Sequence, residues 1–456
     1  MARLRGNLTR EATALADVLR DEIEKDLEEF KVPGASWAVI DNGEIVDQGS
    51  AGVVEAGRDD PVTDDTLFQA CSISKPVAVL AMLRLVDRGL LDLDEDVNRY
   101  LTSWQVPPTG EWQPVVTLRQ LASHAAGLTV PGFPGYRRGA ELPSPVQILD
   151  GVRPANTFGV HVDLVPGTQF RYSGGGTVVL QQLLEDVTGT PFRQLLRELV
   201  LEPLGMSSSD YAQPLPEELH DRAATAHDEF GRPVDGRWHS YPELAAAGLW
   251  TTPADLVAFA HGIRNAYLGG EGALLSPEWA RAMLTPQMAI ADPWDAMEAL
   301  GLGAFLGDGG RRFGHGGSNK GYKCHLVAYR DTGQGAAVMT NGDNGTQLVD
   351  RAIARIAASY GWRGYPLEVS KPSEVGDEVL RAVSGKYRLG ESLSLTVTVV
   401  DGALEVVFGG QPALRFTARG EGRFAARWVG TELRLTGDGG LVFVQEGEEI
   451  KCRRTR

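Results

Sequence analysis

Strand-forming sequence stands near the start of this chain and again some way past its middle, with helical sequence between. Ser36-Trp37-Ala38-Val39-Ile40 and Glu44-Ile45-Val46-Asp47 flank Asp41-Asn42-Gly43. Two β-type runs around an Asn-Gly turn read as a hairpin. The next comparable runs, Tyr322 to Tyr329 and Gly335 to Thr340, lie far downstream and are joined by Asp331-Thr332-Gly333. To about residue 300 the intervening pattern is mainly helical, broken by Pro/Gly-rich loops such as 130–135 and 164–167, and β character returns near Arg311. Leu15, Leu19, Ile23, Leu27 and Phe30 mark one face of an amphipathic helix before the hairpin, and Leu348, Ile353 and Ile356 mark another after the last strand. The pattern predicts an α+β fold, in which one antiparallel sheet with terminal helices is interrupted by an inserted helical region.

Beyond Tyr365 the period changes. Residues 363–372, rich in Gly and Pro, read as a linker. Leu393, Leu395, Val397 and Val399 then alternate with Ser394, Thr396 and Thr398, and Asp401-Gly402 turns the chain into Ala403–Phe408. Further short strands follow around Leu414, Phe424, Leu433 and Val442, so a small antiparallel barrel or sandwich is expected. The expected division is a first domain over 1–365, a linker over 366–378 and a barrel over 379–456. The 456 residues allow two or more domains.

A net charge of −16 disfavours nucleic acid as a partner, because phosphate neutralisation needs clustered Lys and Arg. No uncharged apolar run reaches the roughly 18 residues of a membrane span, and Met1–Gly6 leads into polar sequence rather than the apolar core of a signal peptide. The three scattered cysteines, Cys71, Cys324 and Cys452, show no metal-ligand spacing. The expectation is a cytoplasmic protein without metal or other cofactor. Its oligomeric state is left open.

Ser72, Ser74 and Lys75 interrupt the apolar stretch from Gln69 to Leu83. Ser72 and Lys75 are three residues apart and share a helix face. Pro76 is tolerated in a first turn, so Ser72 falls at or near the helix start, beside free N–H groups and the positive dipole end. That setting suits a nucleophile. A serine hydroxyl needs a base; a lysine one turn away serves if neutral, or holds a neighbouring base anionic. The same four residues also describe a serine N-cap beside a snorkelling lysine, so Ser-x-x-Lys alone does not decide. Cys71, next to Ser72, reads as a small buried residue.

Two further segments bear on the choice. Phe170-Arg171-Tyr172-Ser173-Gly174-Gly175-Gly176 sets a tyrosine before glycines, which permit close backbone approach. Phe313-Gly314-His315-Gly316-Gly317-Ser318 precedes the late strands. In this order, Ser72-x-x-Lys75, Tyr172-Ser173-Gly174 and His315-Gly316-Gly317 resemble the three motifs of the serine β-lactamase and penicillin-binding-protein superfamily. The likeness is greatest to class C β-lactamases, DD-peptidases, D-aminopeptidases and related esterases. It extends over about residues 12–360 and takes in Thr117–Leu128, Leu201–Met206 and Ala247–Leu256. The tail resembles the lipocalin-like barrel attached to some D-aminopeptidases.

The resemblance implies that Ser72 is acylated, that Lys75 and Tyr172 share the proton transfers, and that His315, in the place usually held by lysine, biases Tyr172. It implies an oxyanion hole made of the backbone N–H groups of Ser72 and Ser318, and a substrate lying along Gly316 and Gly317 and near Gly174. Where the family motif has asparagine, this chain has Gly174, which favours an esterase over a β-lactamase or peptidase. His124 and Arg171 are read as supporting loops. The implied function is hydrolysis of a small ester or amide through an acyl-enzyme. The alternatives are a transacylase or penicillin-binding-protein-type thioesterase that passes the acyl group to an amine, and, more remotely, a non-catalytic ligand-binding sensor.

Overall fold

A computed structural model describes residues 10–294, 297–363, 365, 376–389, 393–400, 403–409, 413–418, 420, 422–426, 431–436, 440–445 and 448–455. Helix α1 (Arg10–Phe30) leads into the hairpin β1 (Gly34–Asp41) and β2 (Glu44–Gly52). The helical region holds α2 (Ser74–Asp87), α3 (Gly174–Thr188), α4 (Leu244–Ala247) and α5 (Pro253–Leu268), among shorter turns. Strands β3 (Met288–Trp294), β4 (Met297–Leu300), β5 (Phe305–Gly307), β6 (Arg312–Asn319), β7 (Tyr322–Tyr329) and β8 (Gly335–Thr340) follow, then α6 (Gly345–Ser359).

Among the described residues these eight strands form one sheet, in the order β2-β1-β8-β7-β6-β5-β4-β3. The early hairpin joins the late strands through an antiparallel β1–β8 pairing that runs from Ala35 opposite Thr340 to Ile40 opposite Gly335. The helical region is therefore an insertion between neighbouring strands. Burial explains the order. Strand β1 is buried along nearly its whole length, so it needs neighbours on both edges and cover on both faces. Trp37 and Val39 pack with Leu19, Ile23 and Leu27 of α1 and with Ile353 and Ile356 of α6. Ala38 and Ile40, on the opposite face, join the large core that contains α2 and α5.

Residues 285–310, for which the sequence predicts no strand, supply β3, β4 and β5 and extend the sheet beyond β6. Leu306 opposite Phe313 and Phe305 opposite Gly314 are paired backbone to backbone. The run is short, is interrupted by Gly301 and Gly303, and carries Pro293 in what proves to be the edge strand. No period-2 signal survives in such a sequence, and an edge is where a strand tolerates proline.

The chain divides into two compact units, 1–289 with 299–365, and 290–298 with 366–456. The second unit contains a closed barrel of eight strands among the described residues, β9 (Gly385–Leu389), β10 (Leu393–Val400), β11 (Ala403–Phe408), β12 (Leu414–Ala418), β13 (Arg423–Ala426), β14 (Thr431–Leu435), β15 (Leu441–Gln445) and β16 (Glu448–Arg454). Each strand pairs with its sequence neighbour and β16 closes on β9. Leu395 and Val397 point into the barrel with Leu404, Val406, Phe416, Phe424 and Leu433. Leu393 and Val399, at the ends of the same alternating row, are exposed; only 395–397, in the middle of the strand, are paired on both edges. Residues 366–375 of the expected linker and the Asp401-Gly402 turn lie outside the described residues. Among the described residues, no helix is long and apolar enough to cross a membrane.

Candidate active site

Ser72 stands in a one-turn 3₁₀ helix, Cys71–Ile73, directly before α2. Cys71 has φ +52°, a left-handed conformation that a non-glycine residue adopts only when its surroundings hold it there. Those surroundings are visible. Ser74 Oγ donates to the Cys71 carbonyl at 2.6 Å and accepts from Leu249 N–H at 3.1 Å. Tyr211 Oη donates to the Ser74 carbonyl at 2.9 Å. Cys71 itself is fully buried. The turn thus presents the Ser72 hydroxyl, half-buried, at the head of a helix that is buried over most of its length.

Lys75, one turn on, is 4% exposed. Its Nζ donates to Ser72 Oγ at 3.0 Å and to the Ala246 carbonyl at 2.8 Å. Burying an ammonium is expensive unless it is hydrogen-bonded, and these two contacts supply part of that. The acceptor belongs to α4, which is itself held by α3. Gln181 accepts from Ala245 N–H at 3.0 Å and donates to the Pro242 carbonyl at 3.4 Å.

Tyr172 stands just before Ser173, the residue that leads into α3. Ser173 caps that helix, with Oγ accepting from Gly176 N–H at 2.9 Å and donating to the Thr129 carbonyl at 2.7 Å. Lys75 Nζ lies 5.0 Å from the Tyr172 ring centre, within range of a cation–π attraction. The Tyr172 ring is 4.3 Å from His124, 6.2 Å from His315 and 6.4 Å from Phe305, centre to centre.

His315 enters from β6 and is buried. Its Nδ1–H donates to the Gly316 carbonyl at 2.5 Å. Nε2 is buried with no hydrogen-bond partner among the described residues. Burial, followed by the neighbouring Lys75 cation, pushes the imidazole pKa down to about 3. The ring is therefore neutral at any physiological pH, with Nε2 as an acceptor.

Strand β6 presses against the Ser72 turn. A Cβ at Gly317 would stand 2.6 Å from the Ala70 carbonyl and 2.9 Å from Cys71 Cβ, so only glycine permits this approach. Asn319, two residues on, donates to Gln69 Oε1 at 2.7 Å and to the Ala247 carbonyl at 3.1 Å, which ties the strand end to both the turn and α4. Gly316 is half-buried beside it and Ser318 is exposed.

The fold thus draws Ser72, Lys75, Tyr172 and His315 from three distant segments into one cluster, with Gly316, Gly317 and Ser318 along its strand side. Gly174 is placed differently. It is buried, and a Cβ there would meet the Phe133 ring at 2.9 Å and the Pro131 carbonyl at 3.2 Å. Segment 131–133 fills the space into which a longer side chain would extend. Arg171 pairs with Asp163.

A strained serine turn, a lysine on the serine's own helix, a tyrosine over that lysine and a strand edge alongside, in a sheet interrupted by a helical insert, define the serine acyl-transfer class of the β-lactamase type. The chain belongs to the Beta-lactamase family, whose profile matches residues 19–360. It is 28% identical over 370 residues to penicillin-binding protein 4 of Amycolatopsis lactamdurans, covering 79% of this chain and 94% of that one. To esterase EstB of Burkholderia gladioli it is 31% identical over 259 residues, which is 54% of this chain and 64% of the relative. The solved octameric penicillin-binding-protein homologue of Pyrococcus abyssi shares the fold over 96% of this chain and 99% of its own, at 22% identity and a TM-score of 0.66. The protein is accordingly a serine hydrolase or acyltransferase of the β-lactamase-like superfamily.

Sequence reasoning missed several contributors. The Ala246 carbonyl and Phe305 carry no motif. Ser74 looks like any helix-start serine. Glu243, at the head of α4, reads as an ordinary surface glutamate in Pro-Glu-Leu, yet it is fully buried and neither carboxyl oxygen has a hydrogen-bond partner among the described residues. Burial pushes its pKa up to about 8. In the unfolded chain the group ionises near 4.5. The fold therefore binds the extra proton, and stability falls as pH rises from 4.5 and levels off above 8. A shift of this kind is worth on the order of 3–5 kcal/mol. Glu243→Gln, which cannot ionise, is expected to be the more stable protein at pH 8 and to show little of this slope. Urea unfolding of both proteins between pH 5 and 8.5 measures the difference; parallel curves would contradict the buried, protonated state.

Proposed function

We propose that the protein hydrolyses a small ester or amide through an acyl-enzyme on Ser72. As the Ser72 Oγ–C bond forms, the hydroxyl proton passes to the Lys75–Tyr172 pair and the carbonyl oxygen takes up the negative charge. The backbone N–H groups of Ser72 and Ser318 are the donors assigned to that oxyanion. Collapse breaks the bond to the leaving group, which departs with the proton. Water then repeats the sequence on the acyl ester, restoring the Ser72 hydroxyl and releasing the acid. His315, with Nδ1–H committed to Gly316, offers Nε2 as an acceptor that biases the Tyr172 phenol.

The observation that carries this reading is the 3.0 Å contact between Lys75 Nζ and Ser72 Oγ, on a turn strained at Cys71 and closed by β6 at Gly317. The preference for an ester or small amide rests on Gly174 and on Phe133 filling the space beside it, together with the likeness to an esterase.

Intact-mass measurement tests the proposal. Short p-nitrophenyl esters, D-amino-acid amides, an acyl thioester and a β-lactam are each offered to the protein, and any adduct is mapped by peptide digestion. An acyl mass on the peptide containing Ser72, decaying to free acid, is expected with an ester or amide. Absence of an adduct with every donor, or an adduct elsewhere, would overturn the assignment. Added amine separates the alternative: if amide product replaces acid as the amine rises, the acceptor is an amine rather than water.

A further inference from the structure

The surroundings of Tyr172 give a role to a residue that the reaction scheme leaves unused. His124 follows the short helix Leu118–Ala122 and has φ +51°. It is 5% exposed. Its backbone carbonyl accepts from Arg171 N–H at 2.8 Å, and its Nδ1 accepts from Ser173 N–H at 3.2 Å. Its ring lies 4.3 Å from the Tyr172 ring, tilted by 42°, and meets Phe170 edge-on at 6.2 Å. One residue thus grips the peptide on both sides of Tyr172 and packs against the phenol between them.

The contact at Nδ1 also fixes a tautomer. A nitrogen that accepts from a backbone N–H carries no proton, so the neutral ring has its proton on Nε2. Protonating Nδ1 would break the bond to Ser173 and set a second cation near Lys75. Lys75 from α2, Tyr172 and Arg171 from the loop before α3, and His315 from β6 are the titratable or charged groups around it, and Arg171 is engaged by Asp163. Burial, then the charge of Lys75, holds the His124 pKa well below its usual value.

We propose that His124 is the positioning residue for Tyr172: it holds the phenol against Lys75 through the Ser173 N–H···Nδ1 bond and the tilted ring packed beside it. This rests on Tyr172 taking part in proton transfer. A misplacement of about 1 Å costs on the order of 10²-fold in rate, so His124→Phe, which keeps a ring but loses the acceptor, is expected to lower kcat by about 30- to 100-fold with KM changed less than about twofold. Asparagine adopts the left-handed backbone readily and carries an oxygen near the place of Nδ1. His124→Asn is expected to keep at least about a third of the parent kcat.

The experiment measures kcat, KM and melting temperature with a p-nitrophenyl ester for both variants, each alone and combined with Tyr172→Phe. Loss of kcat in His124→Phe that is restored in His124→Asn, and that vanishes when Tyr172 is already phenylalanine, supports the proposal. Full activity in both single variants, equal impairment in both, or a His124→Phe loss that persists undiminished beside Tyr172→Phe overturns it. Parental activity in Tyr172→Phe alone would overturn the proton-transfer reading instead, and so the two failures are distinct.

Discussion

Ser72→Ala is expected to eliminate acyl-enzyme formation and to lower ester turnover by about 10⁵- to 10⁶-fold, the scale seen when a serine nucleophile is removed from a hydrolase. Background turnover of roughly 10³-fold over water survives such a loss elsewhere, because oxyanion donors and substrate binding remain. The folded protein should tolerate the change. Ser72 is only half-buried, and its hydroxyl contacts Lys75 rather than the buried backbone that Ser74 secures. A melting temperature near that of the parent, no mass adduct with any donor and near-background p-nitrophenol release form the expected set. A variant that still turns over esters at the parental rate would remove Ser72 from the chemistry altogether.

The second large effect falls at Lys75, where charge and proton transfer can be told apart. Lys75→Met deletes the group that bridges Ser72 Oγ and the Ala246 carbonyl. The rate of acylation is expected to fall by about 10³- to 10⁴-fold, towards the upper range for a lost general acid–base partner. Leaving the Ala246 carbonyl unpaired should also cost about 1–3 kcal/mol of stability. Lys75→Arg keeps a cation but cannot release a proton at any workable pH. If the lysine relays the serine proton, arginine should be as slow as methionine. If it acts only as a fixed charge beside Tyr172, arginine should recover a large part of the rate. Single-turnover kinetics with a p-nitrophenyl ester read the acylation step directly and decide between the two.

Phe133 and Pro131 give a physical sense to the unusual third position of the tyrosine motif. With glycine at 174, the segment 131–133 closes in until no Cβ fits. Restoring a longer side chain at 174 therefore requires this segment to move, so the departure from the family pattern is built into the neighbouring loop.

The sequence by itself determined the architecture where periodicity is strong. The β1–β2 hairpin, the late strands, the terminal helices and the row through Leu395 and Val397 all repeat at the spacing of one secondary structure, and burial of one face enforces that spacing. It also marked Ser72, Lys75, Tyr172 and His315, because each sits in a short motif whose neighbours, a proline or a run of glycines, are constrained by backbone geometry. Tertiary structure alone decided the rest. Phe305–Gly307 become a strand because β6 offers an edge to pair with, and β4 and β3 add outward from there, not because of their own pattern. The Ala246 carbonyl serves Lys75 because α3 holds α4 in place. Glu243 loses its ordinary surface character and His124 comes to hold Tyr172 because the chain packs distant segments around them. A local pattern records what a residue does for its own helix or strand, whereas desolvation and partners contributed by distant segments leave no mark on it.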